Sequence, residues 1–348
     1  MTLPLALVKE RPHGMFANLS FLDAIQANVR GAQDYYQRVK NIQPPEFLPE
    51  TNKNNKRVNK LLRNTIRETI EMYDRLVKYS DIAALTVMSQ PGYRLADYND
   101  FKRNKQDFNE SVLVRGIAAG PVIDYVKSHG HDYYFIETGY FGNYKCRGNP
   151  NARKYWHRIV KNAMQHQRIL DVPDDRWRRL VSYDSRLAWS GWKTGGKSIL
   201  LVAPSEKPCA YYGIDKDQWV SDTINMLKQH TDRPIVIREK GDRTERTSSN
   251  VIYDAFNQDV FAVVTYNSIA AVEAVAYGIP AFALAPTAAQ PVCLDDLSKI
   301  ETPYYPDPEF VYRWLSSLAY GQYHLDELLT GEAWRLVQEN EQRPTISY

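Results

Sequence analysis

Residues 263–280 read VVTYNSIAAVEAVAYGIP, and this stretch decides the fold class of the chain. A run of β-branched apolar residues leads into a polar turn at Tyr266, Asn267 and Ser268, and an alanine-rich segment and Gly-Ile-Pro follow. A strand, a turn and a helix in this order form the repeating unit of α/β domains. We therefore predict a strand over 260–265, a helix over 268–277 that Asn267 or Ser268 caps, and a further strand over 281–284.

The same alternation of strand and helix continues on both sides of this stretch. Downstream of the glycine-rich segment 189–197, the pattern predicts strands over 198–203 and 234–238 and helices over 216–230 and 250–256. Upstream it predicts strands over 82–88, 111–115 and 133–137 and helices over 20–39, 57–79, 121–128 and 155–170. The sequence therefore predicts an α/β fold with additional helices near its N-terminal end.

The chain is long enough for two domains. It has 348 residues, and segment 189–197, WSGWKTGGK, has the composition of a linker. Strands and helices begin again directly after it. We predict an N-terminal domain over 1–190 and a C-terminal domain over 191–348, each Rossmann-like.

Residues 191–198, GWKTGGKS, match the phosphate-loop pattern GxxxxGK[ST]. In that loop a strand comes before the glycines and a helix comes after them, so that backbone N–H groups point at the phosphates. Here a predicted strand follows the motif and none precedes it. A linker is therefore the better interpretation.

The charge of the chain is divided unequally between the two predicted domains. Residues 1–190 carry 30 Lys and Arg against 20 Asp and Glu, and residues 191–348 carry 14 against 21. The basic half predicts contact with a polyanion such as nucleic acid, although basic residues on solvated helix faces explain the same composition. The positive residues proposed to contact a DNA backbone are Lys56, Arg57, Lys60 and Arg63.

Composition excludes several other classes of protein. Cys146, Cys209 and Cys293 lie too far apart in the sequence for a zinc motif or a disulfide framework. No apolar run reaches the length of a membrane-spanning helix, and the first residues do not resemble a secretory leader. We expect a cytoplasmic protein, favour a monomer, and expect neither a cofactor nor a metal ion.

Residues 263–280 resemble the donor-domain signature of GT-B glycosyltransferases, in particular the capsule-polysaccharide and bacteriophage DNA-modifying branches. The resemblance is strong over this stretch and loose over 198–300. It implies that Asn267 and Ser268 contact the diphosphate of a nucleotide-sugar donor, a UDP-sugar, and that Glu273 holds the ribose. It also implies two domains that face each other across a cleft, with a C-terminal helix over 310–320 that crosses back to the first domain.

Further candidate donor residues follow neighbouring predicted strands. Arg238 ends the strand 234–238, Lys240 and Arg243 follow it, and Ser205 follows the strand 198–203. Cations at the carboxyl end of a parallel strand face the crevice where α/β sheets bind ligands. There they stabilise the negative charge of a departing diphosphate.

The acceptor side is predicted around the strand 133–137. An inverting transfer needs a base that deprotonates the acceptor hydroxyl, and Glu137 is the first candidate. His131, Asp132 and Asp100 are reserve candidates. Tyr140 is predicted to line the acceptor cleft because aromatic rings stack on sugars and bases. Arg158 joins the cleft because segment 155–158, YWHR, is similar to a basic-aromatic segment of related GT-B proteins.

Three functions remain open on the sequence. The first is glycosyl transfer to the hydroxymethyl group of a modified pyrimidine, 5-hydroxymethylcytosine, in bacteriophage DNA, which the basic half favours. The second is glycosyl transfer in the synthesis of a surface or capsular polysaccharide. The third is a DNA-binding module that has kept a degenerate GT-B fold without catalysis.

Overall fold

The structure is a computed structural model that describes residues 3–9, 19–40, 46–79, 81–143, 155–239 and 252–347. The chain divides into two compact units. The first unit contains Met1–Val114 and Leu325–Trp334, and the second contains Arg115–His324 and Arg335–Tyr348. This division differs from the predicted boundary near residue 190, and the two predicted domains stay a prediction.

Strands and helices alternate along most of the described chain. The strands are β1 (Leu5–Val8), β2 (Leu95–Asp97), β3 (Val112–Arg115), β4 (Tyr133–Thr138), β5 (Trp156–Lys161), β6 (Ile169–Leu170), β7 (Ser198–Val202), β8 (Ile235–Arg238), β9 (Val260–Thr265), β10 (Ala281–Ala283), β11 (Gln322–His324) and β12 (Thr345–Ile346). The helices are α1 (Phe21–Lys40), α2 (Lys53–Tyr79), α3 (Ile82–Val87), α4 (Tyr98–Arg103), α5 (Gly120–Ser128), α6 (Asp175–Tyr183), α7 (Glu206–Tyr212), α8 (Lys216–Leu227), α9 (Ile252–Phe256), α10 (Ala270–Ala276), α11 (Pro308–Tyr320), α12 (Leu325–Thr330) and α13 (Glu332–Gln342).

The first unit is built on the short parallel strand β1. Ala6 pairs with Leu95 of β2, and Leu5 pairs with Val112 of β3. All four residues of β1 are buried, as expected for a strand in a parallel sheet that is covered by helices. Helix α3 packs on β1, and α1 packs against α2, α3 and α12.

The segment 82–88 was predicted as a strand, and this prediction is wrong. It forms helix α3, which Asp81 caps by accepting a hydrogen bond from the Ala83 N–H at 2.7 Å. Every residue of α3 is buried. A short segment that is buried on all sides has no apolar periodicity that distinguishes helix from strand, so the capping aspartate was the only usable signal.

The second unit contains the sheet predicted from residues 263–280. Its four strands are all parallel and have the order β10-β9-β7-β8. Helices α8 and α10 connect successive parallel strands, as in Rossmann-like domains. In the same unit, β4 pairs with β5, and β5 pairs with β11, in both cases antiparallel. The predicted α/β class is confirmed.

The helix predicted over 155–170 is wrong, because residues 156–161 form strand β5. Strand β5 pairs with β4 from His157 to Lys161, with Glu137 opposite Arg158. Its sequence, WHRIVK, contains Trp, Ile and Val, which favour strands. The strand ends at Asn162, whose φ of 54° turns the chain.

Segment 189–197 leads into strand β7, so the phosphate-loop pattern lacks the following helix that such a loop requires. The Lys193 N–H donates to the Gly278 carbonyl at 2.7 Å, which ties the segment to the turn after α10. Helix α11 packs against α6 and β6, which precede residue 190 in the sequence. Among the described residues, no helix combines the length and the apolar character needed to cross a membrane.

Candidate functional site

Several predicted donor residues lie at the carboxyl edge of the four-stranded parallel sheet. Val202, the last residue of β7, pairs with Arg238 on β8 and with the last residue of β9, so the three strands end at the same level. Ser205 follows β7, and Asn267 and Ser268 follow β9. This edge is where open α/β sheets bind ligands. Four predicted donor residues therefore lie at one edge of one sheet.

Side-chain hydrogen bonds hold the turn between β9 and α10. The Thr265 hydroxyl donates to the Val202 carbonyl at 3.1 Å, and the Ala270 N–H donates to Ser268 Oγ at 3.2 Å. Ser268 therefore satisfies an N–H at the start of α10, but the residue at the N-cap position is Ile269 and not the predicted Asn267 or Ser268. The helix itself is shorter than expected, with seven residues that are all buried. The small alanine side chains allow this close packing, which explains the alanine-rich sequence.

Glu273 lies in the core beneath this edge. It is 2% exposed, whereas the resemblance assigned it to a donor ribose. Its carboxylate attracts the half-buried Arg238 guanidinium. Burial lowers the pKa of Arg238, and the charges of Asp254 and Glu273 oppose that shift. Glu273 is therefore placed to hold a cation at the sheet edge, and direct contact with a ribose stays a prediction.

Two predicted donor cations cannot be located. Lys240 and Arg243 lie outside the described residues, which end at residue 239 on this side and resume at residue 252. Their proposed contact with a diphosphate stays a prediction.

Glu137 lies near the carboxyl end of β4, and its side chain is half-buried. Its Oε1 accepts hydrogen bonds from the Thr138 N–H at 2.9 Å and from the Thr138 hydroxyl at 3.2 Å. Burial alone would raise the pKa of Glu137, but Arg158, Thr138 and Arg115 outweigh it and hold the pKa below its usual value. The carboxylate is therefore ionised at neutral pH, the state that a general base requires.

Arg158 and Tyr140 form a buried polar cluster beside Glu137. The Arg158 guanidinium donates to the carbonyls of Thr138 at 2.5 Å and Met164 at 3.3 Å, and it lies over the Tyr140 ring. The Tyr140 side chain is fully buried, although the sequence predicts it in an open acceptor cleft. Core packing therefore explains its position better than stacking on a ligand.

His166 completes this cluster, and the sequence analysis did not identify it. Its Nδ1 lies 3.1 Å from the Tyr140 hydroxyl, and its backbone N–H donates to that hydroxyl at 2.9 Å. Burial, followed by the charge of Arg158, lowers the pKa of His166 to about 3. The ring is therefore neutral, and the positive charge near Glu137 comes from arginine.

The reserve candidates for the base do not lie beside Glu137. His131 and Asp132 precede β4, about 20 Å and about 16 Å from Glu137 along an extended strand. Asp132 pairs with Lys161 at 2.9 Å and accepts from Asn162 at 2.6 Å, and these contacts lower its pKa against the effect of burial. Asp100 lies on α4 in the first unit, where it pairs with Arg103.

Gln165 connects the loop after β5 with the edge of the parallel sheet. Its Nε2 donates to the Asn267 carbonyl at 2.7 Å. Its Oε1 accepts from the Thr287 hydroxyl at 3.1 Å and from the Ala288 N–H at 3.2 Å. A glutamine in a loop carries no sequence signal, so only the tertiary structure identifies this contact.

The predicted DNA-contacting residues all lie on helix α2 and are exposed. Lys56, Lys60 and Arg63 follow at i, i+4 and i+7 and share a face, whereas Arg57 is turned by about 100° from Lys56. Arg63 pairs with Glu50 at 2.7 Å. The described part of α2 therefore presents a positively charged face to solvent.

No group of three or more His, Cys, Asp and Glu side chains in the described part of the chain could hold a metal ion. The polar groups that the site does offer are a guanidinium at the sheet edge, the Asn267–Ser268 turn and a carboxylate at the end of β4.

No protein-family model and no curated protein sequence matches this chain. Among solved structures, it is similar to two structures of KpsC from Thermosulfurimonas dismutans. The beta Kdo 2,4 transferase is 10% identical, covers 71% of this chain and 93% of its own, and gives a TM-score of 0.41. The beta Kdo 2,7 transferase is 12% identical, covers 70% and 93%, and gives the same TM-score.

Proposed function

We propose that this protein is a glycosyltransferase that moves a sugar from a nucleotide-sugar donor to a hydroxyl acceptor. The observation that carries the proposal is the convergence of Arg238, Asn267 and Ser268 at one edge of a parallel sheet. The sequence of this edge resembles a GT-B donor signature. A carboxylate, Glu137, lies at the end of a strand in the same unit.

The donor binds with its diphosphate at the Asn267–Ser268 turn and near Arg238. The acceptor hydroxyl loses its proton to Glu137, and its oxygen forms a bond to the anomeric carbon as the bond from that carbon to the diphosphate oxygen breaks. The leaving nucleoside diphosphate takes the electron pair of that bond, and the fixed charge of Arg238 stabilises it. The low pKa of Glu137 keeps the base ionised before each turnover.

We further propose that the donor is a UDP-sugar and that the acceptor is a hydroxymethylated pyrimidine in DNA. The exposed cations of α2 support a polyanionic acceptor, because Lys and Arg on one helix face contact successive phosphates. A base hydroxyl on duplex DNA must be reached in the major groove or flipped out before it can react.

The decisive experiment is transfer to DNA of defined composition. The purified chain is incubated with a panel of UDP-sugars and a duplex that contains 5-hydroxymethylcytosine. The DNA is then digested to nucleosides, and their masses are measured by mass spectrometry. A hexose or pentose addition is expected on hydroxymethylcytosine and on no nucleoside of a matched cytosine duplex.

The outcomes separate the parts of the proposal. If the nucleotide-sugar is hydrolysed, or its sugar is transferred to an added oligosaccharide but not to DNA, the protein is still a glycosyltransferase. The proposed DNA acceptor is then wrong. If the chain binds DNA but neither binds a nucleotide-sugar nor transfers a sugar, the proposed glycosyltransferase activity is wrong. A DNA-binding module without catalysis is then favoured.

A further inference from the structure

The side chain of Gln165 contacts two segments that lie more than a hundred positions further along the chain. It is 8% exposed and forms hydrogen bonds with the Asn267 carbonyl, the Thr287 hydroxyl and the Ala288 N–H. Its own segment follows β5, which carries Arg158 opposite Glu137. One buried amide therefore joins the loop on the Glu137 side to the Asn267–Ser268 turn and to the loop at 287–288.

The chemistry of these contacts fixes the orientation of the amide. The Asn267 carbonyl can only accept, and the Ala288 N–H can only donate. The Gln165 NH₂ must therefore face Asn267, and its oxygen must face Ala288 and Thr287. Among the common side chains of this length, only glutamine supplies a neutral donor and acceptor in this arrangement, because glutamate has no hydrogen for the Asn267 carbonyl when it is ionised.

The residues on either side of Gln165 are also fixed. The Met164 carbonyl accepts from Arg158 Nε at 3.3 Å, and His166 makes two contacts with the Tyr140 hydroxyl. The buried Trp314 indole donates to the Ala288 carbonyl at 2.8 Å, which holds the far side of the amide contact. The loop around Gln165 is therefore anchored on both sides, so that the amide has a fixed position from which to hold the turn.

We propose that Gln165 is a positioning residue that sets the Asn267–Ser268 turn at the distance from Glu137 that transfer requires. This inference rests on the proposed function, because it assigns the turn to the donor diphosphate and Glu137 to the acceptor. Gln165 acts through the Asn267 backbone and does not itself touch the reacting atoms.

The test is the variant Gln165→Glu. The carboxylate has the size of the amide and still accepts from Thr287 and Ala288, but it faces the Asn267 carbonyl without a hydrogen. We expect UDP to bind about tenfold more weakly in calorimetry, because a buried charge now faces an acceptor. The donor KM should rise with the dissociation constant, whereas the acceptor KM should stay at the wild-type value.

Two further variants separate positioning from a loss of stability. Gln33→Glu is the matched control, since Gln33 also donates from Nε2 to a backbone carbonyl, that of Leu329, at 3.2 Å, but in the first unit. It should lower the melting temperature and leave UDP binding unchanged. Thr287→Val removes one bond to the Gln165 oxygen and keeps the Ala288 bond, so UDP binding should weaken by less than about threefold.

Equal UDP binding and equal donor KM in Gln165→Glu and the wild type would overturn the role of Gln165 while leaving the proposed function intact. An equal loss of UDP binding in Gln33→Glu would overturn it as well, because the effect would then follow general stability. If the wild-type chain binds neither UDP nor a UDP-sugar, the proposed function fails, and the positioning role fails with it.

Discussion

The two strand ends of the candidate site carry opposite electrostatic arrangements. At the end of β4, the carboxylate of Glu137 lies among the positive charges of Arg158 and Arg115. At the end of β8, the guanidinium of Arg238 lies among the negative charges of Asp254 and Glu273. In both places, groups of opposite charge keep a partly buried ion charged.

This difference indicates a division of labour. An ionised carboxylate can take a proton from a hydroxyl, whereas a fixed guanidinium can stabilise the negative charge of a leaving diphosphate. Each arrangement protects the charge that its step requires. The comparison therefore predicts that substitutions at the two ends affect different kinetic constants.

The largest effect is expected for Glu137→Gln. Removing the base should lower kcat by about 10² to 10⁴ and leave the UDP dissociation constant unchanged. Asp132→Asn, at the other end of the same strand, is the matched control and should keep a near-normal rate. A normal kcat in Glu137→Gln together with a low kcat in Asp132→Asn would show that Asp132 is the base and that Glu137 is not.

The next effect is expected for Arg238→Ala, which should weaken UDP binding by about 1.5 to 3 kcal/mol, or roughly 10- to 150-fold. Arg233→Ala is the control, because Arg233 precedes β8 at the opposite edge of the sheet and pairs with Glu301 at 3.0 Å. Arg238→Ala should also lower the melting temperature, since it leaves the buried Glu273 carboxylate without its nearby cation.

Adding Glu273→Gln to Arg238→Ala separates these two effects. The double variant should regain melting temperature without regaining UDP binding. If UDP binding returns together with the melting temperature, Arg238 stabilises the fold and does not contact the diphosphate.

A smaller effect is expected at the exposed cations of α2, which concern the acceptor. Changing Lys56, Arg57, Lys60 and Arg63 to Gln should weaken binding to every duplex alike. The slope of the logarithm of the DNA-binding constant against the logarithm of the salt concentration should become less steep by about 0.9 per lost phosphate contact. Binding to unmodified duplex DNA between low and moderate salt measures the slope. Binding by the wild type that does not change with salt would remove DNA as the acceptor.

The smallest effect is expected for Arg115→Gln, measured in the pH profile of kcat. Arg115 helps to keep the pKa of Glu137 low, so its loss should move the acidic limb of the profile to higher pH. The stability that the ionised carboxylate contributes is present above the pKa it has in the unfolded chain, about 4.3, and is lost as the pH falls through its lower folded value. An unchanged profile would show that Arg115 does not act on Glu137.

Much of the second unit could be predicted because its strands and helices have clear boundaries. The strands 198–202, 235–238 and 260–265 and the helix 216–227 follow from apolar runs separated by polar turns. The predictions failed where a buried segment has no clear apolar periodicity, as at 82–87 and at 156–161. In both places neighbours in space, and not the local pattern, decide the structure.

The candidate site also contains residues whose positions the sequence predicts and residues that only the tertiary structure identifies. The positions of Asn267, Ser268 and Arg238 could be predicted because each lies at or just after the end of a recognisable strand, and the carboxyl ends of parallel strands meet at one edge. Gln165, His166 and Arg115 could not, because their partners lie far away in the sequence. The burial of Tyr140 and Glu273 was likewise invisible in the sequence, since the same residues serve on a surface or in a core.

The sequence by itself determined the α/β class, the parallel sheet around residues 263–280, the polar turn after β9 and the basic character of α2. These are local properties, set by periodicity, turn residues and charge along a continuous stretch. Only the tertiary structure decided which charges surround Glu137 and Arg238 and which amide holds the Asn267 turn. The charges around Glu137 and Arg238 come from residues on other strands and helices, and Gln165 and Asn267 lie more than a hundred positions apart, so these contacts exist only after the chain has folded.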